Sequence, residues 1–239
     1  MRKLLYITIL IVLASIKPIK AQIPSNDAAW TIVPSKSDSF TGSGIDLSMW
    51  DTTYNFWGAY NVANGAEWDY GKNDSVGGGK LYIKADTIKP PYKVATWGTF
   101  PHYRYGTWGQ SLSYAYQGGI VQTDTSLKYT FGYIEISAKF PSKKWPLWPA
   151  FWMIGGACPP TNPDYLNEVD IAENGGEQSY WGNHVGNNYH VSSVTCEYDT
   201  SATYNVGTDI TVLPSTDSLS GAFHKYAFEW SPHRMTYYF

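Results

Sequence analysis

Residues 167–174 read NEVDIAEN and place three acidic side chains among small and branched apolar ones. On a helix, this spacing would scatter the three carboxylates around the axis. On a β-strand, side chains repeat every second residue, so Glu168 and Asp170 share a face while Glu173 has the wrong parity. A single bulge at Ile171-Ala172 would return Glu173 to that face, and bulges recur beside active sites. The spacing therefore predicts a bulged strand that presents three acids in a row.

Such a row of acids is suited to catalysis. Carboxylates on one strand face repel one another, so some of them hold protons above their usual pKa. Glycoside hydrolysis uses such pairs, in which one carboxyl stays protonated as general acid while its partner acts as a carboxylate. Two other interpretations stay open from the spacing alone, a solvated strand edge and a calcium site, since hard cations also bind carboxylates.

Outside this stretch, short alternating segments recur between Gly, Pro and Asn turns, and no stretch has a helical period of useful length. Candidate strands are residues 80–85 after the glycines 77–79, then 133–140, 148–154, 168–173, 222–230 and 234–239. Short strands separated by such turns predict an all-β antiparallel sandwich or barrel.

The composition agrees with one β domain. The chain has 239 residues, of which 17% are aromatic and 15% charged, with 22 Gly and 14 Pro. The apolar content excludes a disordered chain, and the Gly and Pro content argues against a coiled coil. Abundant Tyr and Trp on a β scaffold indicate large flat contact surfaces.

The first residues predict export. Arg2 and Lys3 precede an apolar run at 4–15, and a tail at 16–21 ends in the small residue Ala21, which is the layout of a secretory signal peptide. The run is shorter than the roughly 20 residues of a spanning helix, although a short membrane anchor is the alternative. We therefore expect a signal peptide at 1–21 and a secreted protein, extracellular or periplasmic.

Removal of residues 1–21 lowers the Lys plus Arg count from 17 to 13 against 20 Asp plus Glu, which gives a net charge of −7. Such a charge argues against nucleic-acid binding, because that binding needs Lys and Arg to neutralise phosphates. We expect a neutral partner, no membrane span and a monomer. In an exported chain, Cys158 and Cys196 are expected to form a disulfide, with two buried free thiols as the alternative.

Four motifs in chain order resemble those of glycoside hydrolase family 16. They are GYIEISAKFP at 132–141, LWPAFWM at 147–153, EVDIAE at 168–173 and FHKYAFEWSP at 223–232. The second is very close to the run typical of laminarinase-like members, and the third is the bulged E-x-D-x-x-E form of the signature. The resemblance extends from about Phe40 to the last residue. It implies a β-jelly-roll sandwich with a concave sugar cleft and a retaining endo-hydrolase of β-linked polysaccharides.

The resemblance also implies roles for individual residues. Glu168 would be the nucleophile, Glu173 the acid/base, and Asp170 would orient and tune the nucleophile. Trp148 and Trp152, four residues apart, would share a strand face and stack on sugar rings, while Phe151 would point to the core. Filling of the core is the alternative for both Trp residues.

The resemblance indicates further candidate residues. His190 lies where the family often has a His on the strand beside the acids, and it would bond them or be structural. Glu67 and Trp68 lie in a segment that corresponds to the cleft edge. His224 is expected to be structural. No cofactor is implied for catalysis, and a structural calcium on the convex side stays open.

The chain departs from the family at three places. Gly118-Gly119-Ile120 replaces the usual S-G-R-I, so the Arg contact with sugar is missing. The Tyr- and Trp-rich segment 90–117 is interpreted as a specificity loop or a plain surface loop. The sequence stops at Phe239, within a hairpin that continues in relatives, so we expect the catalytic domain at 22–239 to be C-terminally truncated.

The expected substrates are β-1,3- or mixed β-1,3/1,4-glucans such as laminarin. Two alternatives are a galactanase of the agarase, porphyranase or carrageenase type, and a non-catalytic sugar-binding protein on the same fold.

Overall fold

A computed structural model describes residues 30–52, 67–69, 73–95, 111–123, 127–142, 147–157, 166–174, 188–196, 203–211 and 218–239. The regular structure of these residues is one turn of 3-10 helix at Pro34–Lys36 and fourteen β-strands. The strands are β1 Trp50–Asp51, β2 Glu67–Asp69, β3 Asp74–Val76, β4 Leu81–Ile83, β5 Asp86–Ala95, β6 Ser111–Gly118, β7 Gln122–Thr123, β8 Gly132–Ala138, β9 Ala150–Ala157, β10 Leu166–Glu173, β11 Asn188–Cys196, β12 Thr203–Thr211, β13 His224–Ser231 and β14 Arg234–Tyr238. The prediction of an all-β chain is confirmed.

Two antiparallel sheets contain most residues of the candidate site and of the hydrophobic core. Four antiparallel strands in the order β12-β11-β10-β9 form what we call the site sheet, and three antiparallel strands in the order β14-β13-β8 form what we call the core sheet. Smaller sheets pair β1 with β7 and β3 with β4, and a further three-stranded sheet has the order β2-β6-β5. The pairing of β2 with β6 is parallel.

The hydrophobic core lies between the site sheet and the core sheet. Tyr226 of β13 is fully buried, stacks on Phe140 with ring centroids 4.8 Å apart, and meets Tyr189 of β11 edge-on at 5.2 Å. Ala172 of β10 and Val191 of β11 belong to the same buried cluster. Tight aromatic packing of this kind contributes both burial and ring–ring attraction.

The hairpins follow from their turn residues. In the β3–β4 hairpin, Gly77 and Lys80 exchange two backbone hydrogen bonds around Gly78 and Gly79, whose φ angles are 59° and 69°. Two positive φ angles define the turn that matches strand twist, and glycine adopts them without strain. The last two strands turn at Pro232 as predicted, with Ser231 paired to Arg234.

Gly119 has a packing role that accounts for the missing Arg. The buried carboxylate of Asp74 accepts a hydrogen bond from the Ile120 N–H at 3.0 Å, and a Cβ on Gly119 would collide with Asp74 Oδ1. Burial raises the pKa of Asp74 to about 6. The space of an Arg side chain at this position is thus occupied by an acid.

The interpretation of segment 90–117 as a loop is wrong at both of its ends. Strands β5 and β6 pair antiparallel, with Tyr92 opposite Tyr114 and Ala95 opposite Ser111. The ladder tolerates Pro90-Pro91 because they fall where the register shifts between Thr87 and Tyr92, and proline is accepted at such irregularities. Residues 96–110 lie outside the described residues.

The export and disulfide predictions remain predictions. The expected signal peptide at 1–21 and Cys158 lie outside the described residues, as does the side chain of Cys196. In the part of the chain that is described, no helix has the length and apolar character that a membrane crossing requires.

Candidate active site

The predicted bulge is present at the acid row. Between Asp170 and Glu173, the partner strand β11 advances only from Ser192 to His190, so β10 contains one extra residue. Against β9, the same irregularity lies between Asp170 and Ala172. Because the extra residue reverses the alternation, Glu173 regains the face of Glu168 and Asp170 while Ala172 enters the core. The prediction of a bulge at Ile171-Ala172 is confirmed.

Asp170 is the most deeply buried member of the row, with 4% of its surface exposed. The hydroxyl of Ser192, directly opposite on β11, donates to Asp170 Oδ2. The side chain of Glu168 is also hydrogen-bonded to Asp170. Strand β11 therefore holds the central acid of the row in a fixed orientation.

The pKa of Glu168 is raised to about 8. Burial is the largest cause, because it disfavours the charged form, and the negative charge of Asp170 and the shared hydrogen bond follow. Glu173 adds a smaller repulsion. Glu168 therefore keeps its proton to higher pH than an isolated carboxyl group does.

The pKa of Glu173 is raised by the same two causes and lowered by two neighbouring side chains. Burial and the charge of Asp170 raise the pKa of Glu173, whereas a hydrogen bond from Trp148 and the charge of His190 lower it. The Trp148 indole Nε1 donates to Glu173 Oε1 at 3.0 Å. A carboxyl with a raised pKa keeps its proton to higher pH, as a general acid must.

Both Trp candidates lie at the site. Trp148 precedes β9 and is 41% exposed, and Trp152 is the register partner of Asp170. Phe151, between them, packs against the core cluster, as expected from alternation. That the indole rings bind sugar stays a prediction.

His190 lies opposite Glu173 in the register, and its Nδ1 is 2.9 Å from Asp209 Oδ1 on β12. The other candidates are elsewhere. Glu67 and Trp68 lie on β2 in a separate sheet, and the placement of their side chains lies outside the described residues, so their contact with sugar stays a prediction. His224 stacks on Phe239 with ring centroids 5.3 Å apart, which agrees with a structural role.

The structural calcium that the resemblance leaves open stays a prediction. The described residues contain no group of three or more His, Cys, Asp or Glu side chains arranged to hold a metal ion.

Three residues at the site were missed by the sequence reasoning. Ser192 bonds Asp170, and Asp209 bonds His190. Asn174 directly follows the acid row, is buried, and ties it to both neighbours by bonds from its backbone N–H to the Pro149 carbonyl and from its side chain to the Asn188 carbonyl. Ser192 could have been found by parity, since it follows His190 by two residues.

Comparison with known proteins assigns the chain to a class. Residues 63–239 match the family model described as Glycosyl hydrolases family 16. The chain therefore belongs to glycoside hydrolase family 16.

A curated relative is the endo-1,3-1,4-beta-glycanase EglC of Rhizobium meliloti (strain 1021), which is 27% identical over 134 residues. This match covers 53% of the chain and 23% of EglC, so the chain spans about a quarter of the length of that relative.

Solved structures share the fold. The laminarinase catalytic domain of Thermotoga maritima MSB8 superposes with a TM-score of 0.61 at 24% identity, over 84% of this chain and 71% of that chain. Porphyranase B of Zobellia galactanivorans also gives a TM-score of 0.61, at 18% identity, over 84% of this chain and 68% of that chain. The expected β-jelly-roll sandwich is confirmed.

Proposed function

We propose that the protein is a secreted retaining endo-β-glycosidase that hydrolyses β-1,3- or mixed β-1,3/1,4-glucans. The observation that carries the proposal is the bulged strand β10, which puts Glu168, Asp170 and Glu173 on one face. Two carboxyls of unequal environment on one face are the requirement for this hydrolysis.

In the first step, the carboxylate of Glu168 attacks the anomeric carbon of the sugar. Glu173 gives its proton to the glycosidic oxygen, the bond from that oxygen to the anomeric carbon breaks, and a covalent glycosyl–enzyme ester forms. The raised pKa of Glu173 supports its role as the acid.

Asp170 has the role of orienting Glu168, to which it is hydrogen-bonded, and of tuning the electrostatics of the nucleophile. Ser192 supports this role, because its hydroxyl donates to Asp170 Oδ2 and so fixes the orientation of the carboxyl group.

In the second step, Glu173, now a carboxylate, removes a proton from water. The resulting oxygen attacks the anomeric carbon, the ester to Glu168 breaks, and the configuration of the substrate is retained. Trp148 holds Glu173 by its N–H, and its exposed ring offers a flat surface to a pyranose.

The choice of glucans is supported by the LWPAFWM motif and by relatives whose names include laminarinase and endo-1,3-1,4-beta-glycanase. The acidic net charge disfavours a sulfated galactan, because sulfate groups are better bound by a basic cleft.

The test is product analysis with the purified protein on laminarin, lichenan, agarose and carrageenan, with detection of the anomer first released. We expect oligosaccharides of retained configuration from laminarin or lichenan. Inverted products, or no cleavage of any of the four, would contradict the proposal, and cleavage of agarose or carrageenan alone would replace glucan by galactan.

A variant at the acid/base completes the test. Glu173→Ala should lower turnover on laminarin about 10²- to 10⁴-fold, the usual contribution of a general acid. Ser193→Ala is the matched control, because Ser193 lies on neighbouring strand β11 but has the parity of the opposite face. A Glu173→Ala protein with full turnover would exclude Glu173 as the acid/base.

A further inference from the structure

The outer strand of the site sheet carries a carboxylate in line with the acid/base. In the register, His190 of β11 lies between Glu173 of β10 and Asp209 of β12. Side chains of directly paired residues stand on the same face of a sheet. The three side chains therefore form a row across three strands.

The His190 ring is held from the β12 side of this row. Its Nδ1 lies 2.9 Å from Asp209 Oδ1, a distance at which a ring N–H donates to a carboxylate. A carboxylate that accepts from one ring nitrogen fixes the tautomer and the orientation of an imidazole. Asp209 thus determines which edge of the His190 ring is turned away from it.

Gly207 provides the space for that ring. A Cβ on Gly207 would lie 2.7 Å from His190 Nε2 and 2.9 Å from Ser192 Cβ, which is closer than such atoms pack. Strand β12 therefore contributes both a carboxylate that holds one side of the ring and a gap into which its other edge fits. Both features of β12 lie against the same side chain.

The orientation of His190 matters for Glu173. The charge of His190 lowers the pKa of Glu173, against burial and the charge of Asp170, which raise it. The described charged groups that face Glu173 are Asp170 and Glu168 on its own strand and His190 on β11, with Asp209 behind His190. A displaced ring would change the influence of His190 on the pKa of Glu173.

We propose that Asp209 is a positioning residue of the acid/base centre, which acts on Glu173 through the ring of His190; this inference rests on the proposed function. The Asp209 side chain is 41% exposed. Because exposed ion pairs contribute little to folding, its role should appear in turnover and not in stability.

A double-mutant cycle tests the inference, with kcat and KM measured on laminarin for Asp209→Asn, His190→Gln and the double variant. Asn keeps the size of the side chain and removes its charge. We expect Asp209→Asn to lower kcat about tenfold with little change in KM, and to have no further effect in the His190→Gln background, because residues in one network are coupled. Asp209→Glu, which restores the carboxylate, should recover part of the loss.

Val206→Thr is the matched control, since Val206 lies on β12 with the opposite parity and is 75% exposed. An unchanged kcat in Asp209→Asn, or the same loss with and without His190, would overturn the inference. A fall in melting temperature without a fall in kcat would also overturn it, since the role would then be structural. A wild-type protein that cleaves none of the four polysaccharides would overturn the proposed function as well. An active wild type in which Asp209 and His190 are not coupled would overturn this inference alone.

Discussion

The two faces of strands β10 and β11 are buried to a similar degree and differ in chemistry. On the core face, Ala172, Tyr189 and Val191 pack against Tyr226 of the core sheet. On the site face, Asp170 and Ser192 are just as deeply buried, but they are polar and bond to each other.

Burial has opposite consequences on the two faces. Apolar surface removed from water stabilises the fold by about 25 cal/mol per Å². A carboxyl group removed from water loses hydration, and it regains part of the loss by keeping a proton or gaining a hydrogen bond. We infer that burial on the core face stabilises the fold, whereas burial of the acids on the site face destabilises it. Substitutions on the two faces should therefore change the free energy of unfolding in opposite directions.

The largest effect is expected on the core face. Tyr226→Ala removes a fully buried ring that contacts Phe140, Tyr189 and Phe239. Loss of a buried aromatic side chain costs about 3–5 kcal/mol, because the cavity collapses only in part. The free energy of unfolding, measured by urea denaturation, should fall by this amount.

Tyr226→Phe is the matched control. Among the described residues, the Tyr226 hydroxyl is buried and has no hydrogen-bond partner. Its removal should therefore leave the free energy of unfolding unchanged or raise it. A loss in Tyr226→Phe as large as in Tyr226→Ala would show that the hydroxyl, and not the ring, holds the two sheets together.

A smaller effect of opposite sign is expected on the site face. The pKa of Glu168 rises from 4.5 to about 8 on folding, so between these values the folded protein binds more protons than the unfolded chain. The free energy of unfolding therefore falls as the pH rises from about 5 to 8. Because the Gln side chain is uncharged at every pH, Glu168→Gln should remove the part of this fall in the free energy of unfolding that Glu168 causes.

At pH 8, Glu168→Gln should be more stable than the wild type by about 2 kcal/mol after allowance for solvent screening, or roughly 4–8 °C in melting temperature. At pH 5 the two proteins should melt at similar temperatures. Asp86→Asn, which removes an exposed acid of β5, is the matched control for the loss of one carboxyl group. A Glu168→Gln protein that is less stable than the wild type at pH 8 would contradict the comparison of the two faces.

Alternation along single strands made the site predictable. The parity of Glu168, Asp170 and Glu173 required a bulge, and the same parity assigned Phe151 to the core. These inferences needed only the period of a strand, which the sequence displays directly.

Contacts between strands were not predictable in this way. Asp209 and Gly207 are close to His190 because β12 pairs with β11 in one register, and nothing local in residues 203–211 specifies that register. Strands β5 and β6 were missed for a related reason, since Pro90-Pro91 indicates a loop until the partner strand shows where the ladder is interrupted.

The smallest effect is expected on the pH dependence of turnover, at Trp148 on the rim of the site face. The indole ring of Trp148 is exposed, and it contacts the half-buried acid Glu173. Its Nε1 donates to Glu173, and this bond lowers the pKa of Glu173. Trp148→Phe keeps a flat ring and removes the donor, so the pKa of Glu173 should rise. Because Glu173 must be protonated to act as the proposed acid, the alkaline limb of kcat/KM should move to higher pH by roughly half a unit to one unit. Trp148→Ala also removes the ring, and a further rise in KM in that variant would support stacking on the sugar. An alkaline limb that stays in place or moves to lower pH in Trp148→Phe would show that the indole does not act on Glu173.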